Sequence, residues 1–460
     1  MKTRSKKLKR LFLLLLTIAL ATWVAMRWQV WFGNPEELAV EPLNAPGHLL
    51  LTFGDSDELS RNVSWQCDTM LQPSWLELVC GDDTTRIEAQ GEVFESRNGK
   101  AAYYVARLRQ LKLDAHYSYR AVSGNGSSQW YDFQTHAAGR DRFSFLFVGD
   151  VQDTIGGMAN RFLRDALMHH PEVEFLVCGG DLTERPANQY WAETFRTLDS
   201  IGQSMPILNA TGNHDYFKGI IQRLEYRFPL IFSYFLDSKI GDNMVYTLNY
   251  GDAQFFVLDS NREFFYLWTQ HQWLKEQLEQ SKAKWKILIL HHPLYSIKGK
   301  NNVIQRWMFD GLVRQYGVDL VLQGHEHAYA RMIGGVYKNG APATPVYTVS
   351  HCSPKNYRIH FDERFDKFGI SSRYYQTVNI HGDTLELAAY DANSQALYDS
   401  LMIVMNPVNG FTWRPVIDLG KDIPENLEFT PDPNNKKDLK YVKRIQEYIS
   451  RHPERMKTKN

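Results

Sequence analysis

Phe143-Ser144-Phe145-Leu146-Phe147-Val148-Gly149-Asp150 is an apolar run that stops at a glycine and hands over an aspartate. The pattern recurs. Phe175–Cys178 leads to Gly180-Asp181, Ile207–Ala210 to Gly212-Asn213-His214-Asp215, Ile287–Leu290 to His291-His292-Pro293, and Val318–Leu322 to Gly324-His325-Glu326-His327. A strand buried on both faces reads as a short apolar run, and α/β proteins build their sites in the loops at the carboxyl ends of such strands. One Asp or His in such a loop means little, because an Asp there commonly caps the next helix. Six oxygen and nitrogen ligands delivered in this way, Asp150, Asp181, Asn213, His291, His325 and His327, point to a two-metal hydrolytic centre.

Between these runs the period changes. Ala159–His169 carries apolar residues at 159, 162, 163, 166 and 167, a helical stripe, and similar stripes occupy Trp191–Ile201, Thr269–Ser281 and Val303–Tyr316. Further strand-like runs fall at Val245–Asn249, Gln254–Leu258, Val346–Ser350, Tyr374–Ile380, Thr384–Tyr390 and Ala396–Val404. Strands alternating with helices predict a layered α/β sandwich, sheets inside and helices outside. Upstream, residues 36–137 read as an all-β domain. Short runs at His48–Phe53, Asn62–Gln66, Trp75–Val79, Ala101–Leu108, His116–Val122 and Gln129–Gln134 are separated by turn-rich clusters, which predicts a β-sandwich. Ala137-Ala138-Gly139-Arg140 is the expected linker, 140–405 the expected catalytic domain, and 406–460 a polar, loosely packed tail in which Leu439–His452 is a solvated helix.

At 460 residues the chain exceeds one ordinary core. Lysine plus arginine (52) balances aspartate plus glutamate (52), so no bulk basic field marks a nucleic-acid-binding surface. Residues 1–35 hold a basic head, Lys2 to Arg10, and an uncharged run from Leu11 to Met26. Ala19-Leu20-Ala21 suits signal cleavage, whereas Trp28 and Trp31 suit an uncleaved anchor in the membrane. Either reading puts the remainder outside the cytoplasm, periplasmic or secreted. Of the four cysteines, Cys67 and Cys80 can pair in an oxidising compartment; Cys178 reads as a buried free thiol, and Cys352 lacks the partners of a zinc-thiolate site.

The five motifs, in this order, resemble the calcineurin-like metallophosphoesterase superfamily. The β-domain before them makes the chain resemble the purple acid phosphatase-like branch, whose members carry a fibronectin III-like amino-terminal domain; Leu111–Arg120 and Phe133-Gln134-Thr135 resemble parts of that domain. The resemblance implies a four-layer α/β/β/α sandwich preceded by an all-β fibronectin III-like sandwich. It implies Asp150 and His327 on a first metal, Asp181 bridging, and Asn213, His291 and His325 on a second. The ions would be Mn, Fe or Zn, since carboxylate, amide and imidazole suit them. It implies an enzyme that hydrolyses phosphomonoesters by a metal-activated hydroxide, with phosphodiester or nucleotide cleavage as one alternative and a catalytically silent surface interaction protein as another. His214, beside Asn213, is the candidate general acid or phosphate contact, with Asp215 orienting its ring. Tyr295 and Tyr329 follow metal motifs and either line the pocket or pack in the core. Two positions depart from the pattern. Glu184 stands where purple members have a tyrosine, and Gln152 where other members have a histidine. Gln152, Glu184 or water is left to complete the first metal, and no charge-transfer colour is expected.

Overall fold

The structure, a computed structural model, describes residues 2–137, 141–219, 221–234, 240, 243–299, 301–336, 340, 342–408, 412–421 and 423–457. Three residues of the expected linker, Ala138 to Arg140, lie outside the described residues. The catalytic part holds two mixed sheets. In the first, Arg142–Val148, Val173–Cys178 and Ile207–Asn209 run parallel, and Tyr374–His381, Thr384–Asp391, Leu397–Val408 and Thr412–Leu419 extend it antiparallel. In the second, Ala253–Val257, Trp285–Ile289, Leu320–Gln323 and Pro342–Val349 are successive parallel neighbours.

Side-chain alternation explains why these runs read as wholly apolar. Phe255, Val257, Ile287, Ile289 and Leu322 face the first sheet, where Phe145 meets Phe255 edge to face at 5.3 Å. Their neighbours Phe256, Leu288, Leu290 and Val321 point the other way, onto Leu274 of helix Phe264–Gln280 and Phe309 and Leu312 of helix Val303–Gln315. Both faces are buried, so both must be apolar. The result is the mixed α/β sandwich that the sequence predicts, with an all-β domain before it.

In that β-domain, strand Asp83–Ser96 belongs to two sheets. Its first half pairs with Ser74–Cys80 and its second with Gly99–Leu108. The domain is bonded to its neighbour as well as tethered to it: Tyr119 Oη donates to the Gln203 carbonyl (2.7 Å), and Ser64 Oγ to that of Ile231 (2.8 Å).

Two expectations need correction. Cys67 and Cys80 are free thiols. Cys67 lies by Ser123, which bonds Ser74 at one end of a strand, while Cys80 ends that strand ~20 Å away, out of disulfide reach. The carboxyl-terminal region is also not loosely packed. Strand Thr412–Leu419 pairs with Leu397–Val408 across the expected boundary at 405. Helix Lys436–Arg451 buries Tyr441, Ile445 and Tyr448, with Tyr448 stacked 4.5 Å from Phe361. These residues recur at i, i+4 and i+7, a buried stripe that the surrounding charge obscures.

Candidate metal centre

The parallel strands end on one edge of the two sheets, and the loops there converge. Asp150, Asp181 and His325 all adopt positive φ (44°, 53° and 71°). Such backbone is costly for non-glycine residues and concentrates at functional sites. It turns each side chain back over the strand ends. The glycines of the motifs make room: a Cβ on Gly212 would overlap the Asp181 carboxylate, and one on Gly324 that of Asp150.

Four donor atoms crowd one point. Asn213 Oδ1 lies 3.1 Å from His291 Nε2 and 2.8 Å from His325 Nδ1, and Asp181 Oδ2 lies 3.2 Å from His291 Nε2. Such spacings are the edges of a coordination shell whose bonds are ~2.0–2.2 Å long. His291 Nδ1 donates to the Gly179 carbonyl at 2.9 Å, which leaves Nε2 to bind. Beside this group, His327 Nε2 is 3.4 Å from Asp150 Oδ1, and His327 Nδ1 donates to the Lys355 carbonyl at 2.8 Å. Asp150 Oδ1 is fully buried yet has no hydrogen-bond partner, as does Gln152 Oε1. Buried acceptors are not left unpaired without cause. An oxygen-and-nitrogen donor set with orphaned oxygens facing inward fits divalent or trivalent cations.

The electrostatics agree. Burial alone would depress His291, but the Asp181 and Asp150 carboxylates outweigh it and raise it to about 10. Burial would raise Asp181, yet His291 and His214 hold it well below the usual carboxylate range. Without a cation, protons and N–H groups balance the carboxylates. His292 is driven down to about 3 by burial and by His291, so it is neutral; its Nδ1 meets Ser260 Oγ at 3.0 Å.

All six expected ligands thus lie around one point or beside it. His214 also borders them: its backbone N–H donates to Asp181 Oδ1 at 2.7 Å. The orientation expected of Asp215 is not found. His214 Nδ1 donates to the Glu184 carbonyl, while buried Asp215 accepts from the Gly212 N–H (2.7 Å) and closes the turn Asn213–Asp215. Adjacent residues in a tight turn point apart, so sequence neighbourhood misleads here. Glu184 forms an ion pair with Lys355, whereas Gln152 Nε2 donates to Asp181 Oδ2 at 2.7 Å, inside the cluster. Tyr295 and Tyr329 are buried in the core, bonded to Asp310 and Asp399. Tyr357 was not foreseen. It stacks on His327 at 4.0 Å and 9°, with Lys298 Nζ 4.3 Å from its ring centre. Burial and the Asp150 and Asp181 carboxylates raise its phenol to about 12, so it stays protonated. It sits in an irregular loop, where no periodic pattern could have flagged it.

This fold and this site define a metal-dependent phosphoesterase, and comparison with known proteins says the same. Calcineurin-like phosphoesterase matches residues 143–329, and Purple acid Phosphatase, N-terminal domain, matches residues 46–135. The chain is a purple acid phosphatase-like phosphoesterase. It is 25% identical over 405 residues to phosphoenolpyruvate phosphatase of Allium cepa, covering 80% of this chain and 76% of that one. It is 23% identical over 310 residues to Fe(3+)-Zn(2+) purple acid phosphatase 12 of Arabidopsis thaliana, covering 63% and 65%. Among solved structures it resembles purple acid phosphatase PPD1 from yellow lupin (TM-score 0.65, 17% identity, 78% of this chain and 74% of that one). It also resembles PhoD (TM-score 0.61, 12% identity, 90% and 100%). The cofactor of this class is a pair of metal ions, and Asp150, Asp181 and His291 form the cluster that fits one.

Proposed function

We propose that this chain is an extracytoplasmic phosphatase that hydrolyses phosphomonoesters at a dinuclear centre. The observation that carries the reading is the convergence of Asp181, Asn213, His291 and His325 donor atoms at coordination-shell spacings. Asp150 and His327 would hold the first ion, Asn213, His291 and His325 the second, and Asp181 would serve both. When bound, such ions supply Lewis acidity toward a phosphoryl oxygen and toward the attacking water.

The chain's own groups do the rest. His214 is fixed through Nδ1 on the Glu184 carbonyl, so Nε2 is the nitrogen left to face substrate. Protonated there, it gives its proton to the leaving alkoxide; neutral, it receives a hydrogen bond from a phosphate hydroxyl. Asn213, one residue before it, would bind the second ion and line the phosphate position. Lys298 and Lys355 put positive charge beside Tyr357 and Glu184 and favour an anionic substrate. Gln152, whose buried Oε1 has no hydrogen-bond partner, would complete the first ion. The helix Lys2–Phe32 has a stretch, Lys9–Phe32, long and apolar enough to cross a membrane. With its basic end in the cytoplasm it delivers the β-sandwich domain, residues 36–137, and the phosphoesterase part that follows it, tail strand and helix included, to the outside.

The test is metal analysis of the purified chain with two substrates. Two equivalents of metal and faster hydrolysis of an aryl phosphate than of its diester are expected. Faster diester cleavage turns the reading into a phosphodiesterase. Bound metal without hydrolysis of either ester turns it into a silent binding protein.

A further inference from the structure

Six large apolar side chains stand exposed at the start of two helices. Phe264, Phe265 and Trp268 open helix Phe264–Gln280, and Val303, Ile304 and Trp307 open helix Val303–Gln315. Phe265 is 81% and Trp307 64% solvent-accessible. They form one patch, since Phe264 stacks on Trp307 at 6.0 Å and 17°. Both helices begin at the carboxyl edge of the second sheet, beside the metal centre. Gln305 Nε2, in the middle of the patch, donates to the Ser260 carbonyl (3.1 Å), and Ser260 Oγ meets His292, whose ring is 4.3 Å from that of His325. The apolar patch is therefore the rim of the site.

A second observation bears on what covers it. The apolar helix ends at Phe32, and two residues later Asn34 binds the Lys218 backbone reciprocally: Asn34 Nδ2 donates to the Lys218 carbonyl at 3.0 Å, and the Lys218 N–H donates to Asn34 Oδ1 at 2.8 Å. Lys218 Nζ also donates to the Val30 carbonyl, inside the helix, at 3.2 Å. Lys218 follows the turn Asn213–Asp215 by three residues. Covalent reach alone keeps His214 within roughly 25 Å of the outer end of the helix. The segment is clamped further on, where Glu37 pairs with buried Arg227 and Gln189 bonds the Glu36 carbonyl. The helix end carries Trp28 and Trp31, and exposed Ile221 and Tyr226 line the groove beside Lys218. Exposed tryptophan and phenylalanine with nearby Arg306 and Lys298 are the composition of a surface that settles into lipid headgroups.

We propose that the Phe264–Trp268 and Val303–Trp307 face rests on the outer surface of the bilayer that the amino-terminal helix spans, so that the site opens onto the membrane plane. The occupant is a lipid surface, because the clamped helix end leaves the site mouth no linker on which to move away from it. The proposal rests on the anchored reading of that helix. It narrows the substrate class to phosphoesters presented at or within the lipid headgroup layer.

The experiment uses the full chain, one copy per lipid nanodisc, in a Cys80→Ser background. Spin labels are placed at Phe265→Cys, Ile304→Cys and, as a water-exposed reference at the far end of helix Ala159–His169, Met168→Cys. Each variant is first checked for unchanged hydrolysis of a soluble aryl phosphate. The ratio of collision rates with oxygen and with a water-soluble nickel chelate is expected to be at least threefold higher at 265 and 304 than at 168. In a disc holding one copy, no second chain can produce that protection. A chain that stays in the disc through a carbonate wash but shows equal ratios at all three positions overturns the membrane face alone. A chain released by the wash overturns both the anchor and the face.

Discussion

The two halves of the metal centre are built differently. On the side of Asn213, His291 and His325 the donor atoms already stand 2.8–3.2 Å apart, each held by backbone or by another ligand. On the side of Asp150 and His327 the spacing is 3.4 Å and two oxygens, Asp150 Oδ1 and Gln152 Oε1, have no partner. One half gathers its donors through their own contacts, and the other leaves two buried oxygens for an ion to satisfy. A donor set closed by its own side chains holds its ion tightly, whereas an underfilled set exchanges it.

The largest effect should come from breaking what the halves share. Asp181→Asn removes the charge proposed to serve both ions and is expected to lower kcat/KM for an aryl phosphate on the order of 10³-fold, about 4 kcal/mol of barrier, with loss of at least one ion by elemental analysis. Next is His214→Ala, which removes a side chain that is a ligand in neither half and keeps the backbone N–H bonded to Asp181. A fall in kcat of about 10²–10³-fold with metal content intact is expected for a lost general acid; equal loss of metal would make His214 a support of Asp181 instead. Third, Gln152→Ala should weaken the first ion about 10–100-fold and leave the second in place, read by stepwise chelation. Ferric iron in the first position is expected to give no phenolate charge-transfer band, since Glu184, ion-paired to Lys355, stands where purple members have a tyrosine.

The pH dependence sharpens the second half. In the metal-free chain His291, raised to about 10, keeps its proton through neutrality, and a cation must displace it from Nε2. Affinity for the second ion should therefore climb about tenfold per pH unit from pH 6 to 8, measured by competition with a metal indicator. A flat profile would mean that His291 is neutral before the metal binds.

Much of this was legible from residue order, for a physical reason. Each parallel strand is buried on both faces, so it announces itself as an apolar run, and where another strand's ligand lies against its loop the loop opens on a glycine. Gly212 and Gly324 are where they are because Asp181 and Asp150 lie against them. Strand Asp83–Ser96 escaped notice because it is almost wholly exposed and its residues, Asp83-Thr84-Thr85-Arg86 among them, answer to solvent. The Tyr357 contact escaped because a loop that crosses a site from the side has no period. Asp215 misled in the opposite direction, since its position beside His214 says nothing of where a tight turn aims it.

The smallest effect belongs to Asp215, and it separates two roles. If Asp215 oriented His214, removing its charge would disturb the imidazole and cost activity comparable to losing the histidine itself. The turn says otherwise: Asp215 Oδ2 accepts from the Gly212 N–H, and burial together with the Asp181 charge pushes its carboxyl well above the ordinary range. Asp215→Asn keeps a carbonyl acceptor for Gly212 and removes a charge that the site disfavours, so kcat should change by less than about threefold. The sign of the stability change follows as well. An acid whose folded pKa is raised holds its proton longer in the native state than in the unfolded one, so its ionisation costs stability as pH rises past the unfolded value. In chelator, Asp215→Asn should then match the parent near pH 4 and unfold at an equal or higher denaturant midpoint near pH 8. A midpoint that drops at pH 8, with kcat reduced a hundredfold, would restore Asp215 as a charged partner of the imidazole and make the second half depend on a carboxylate it does not use as a ligand.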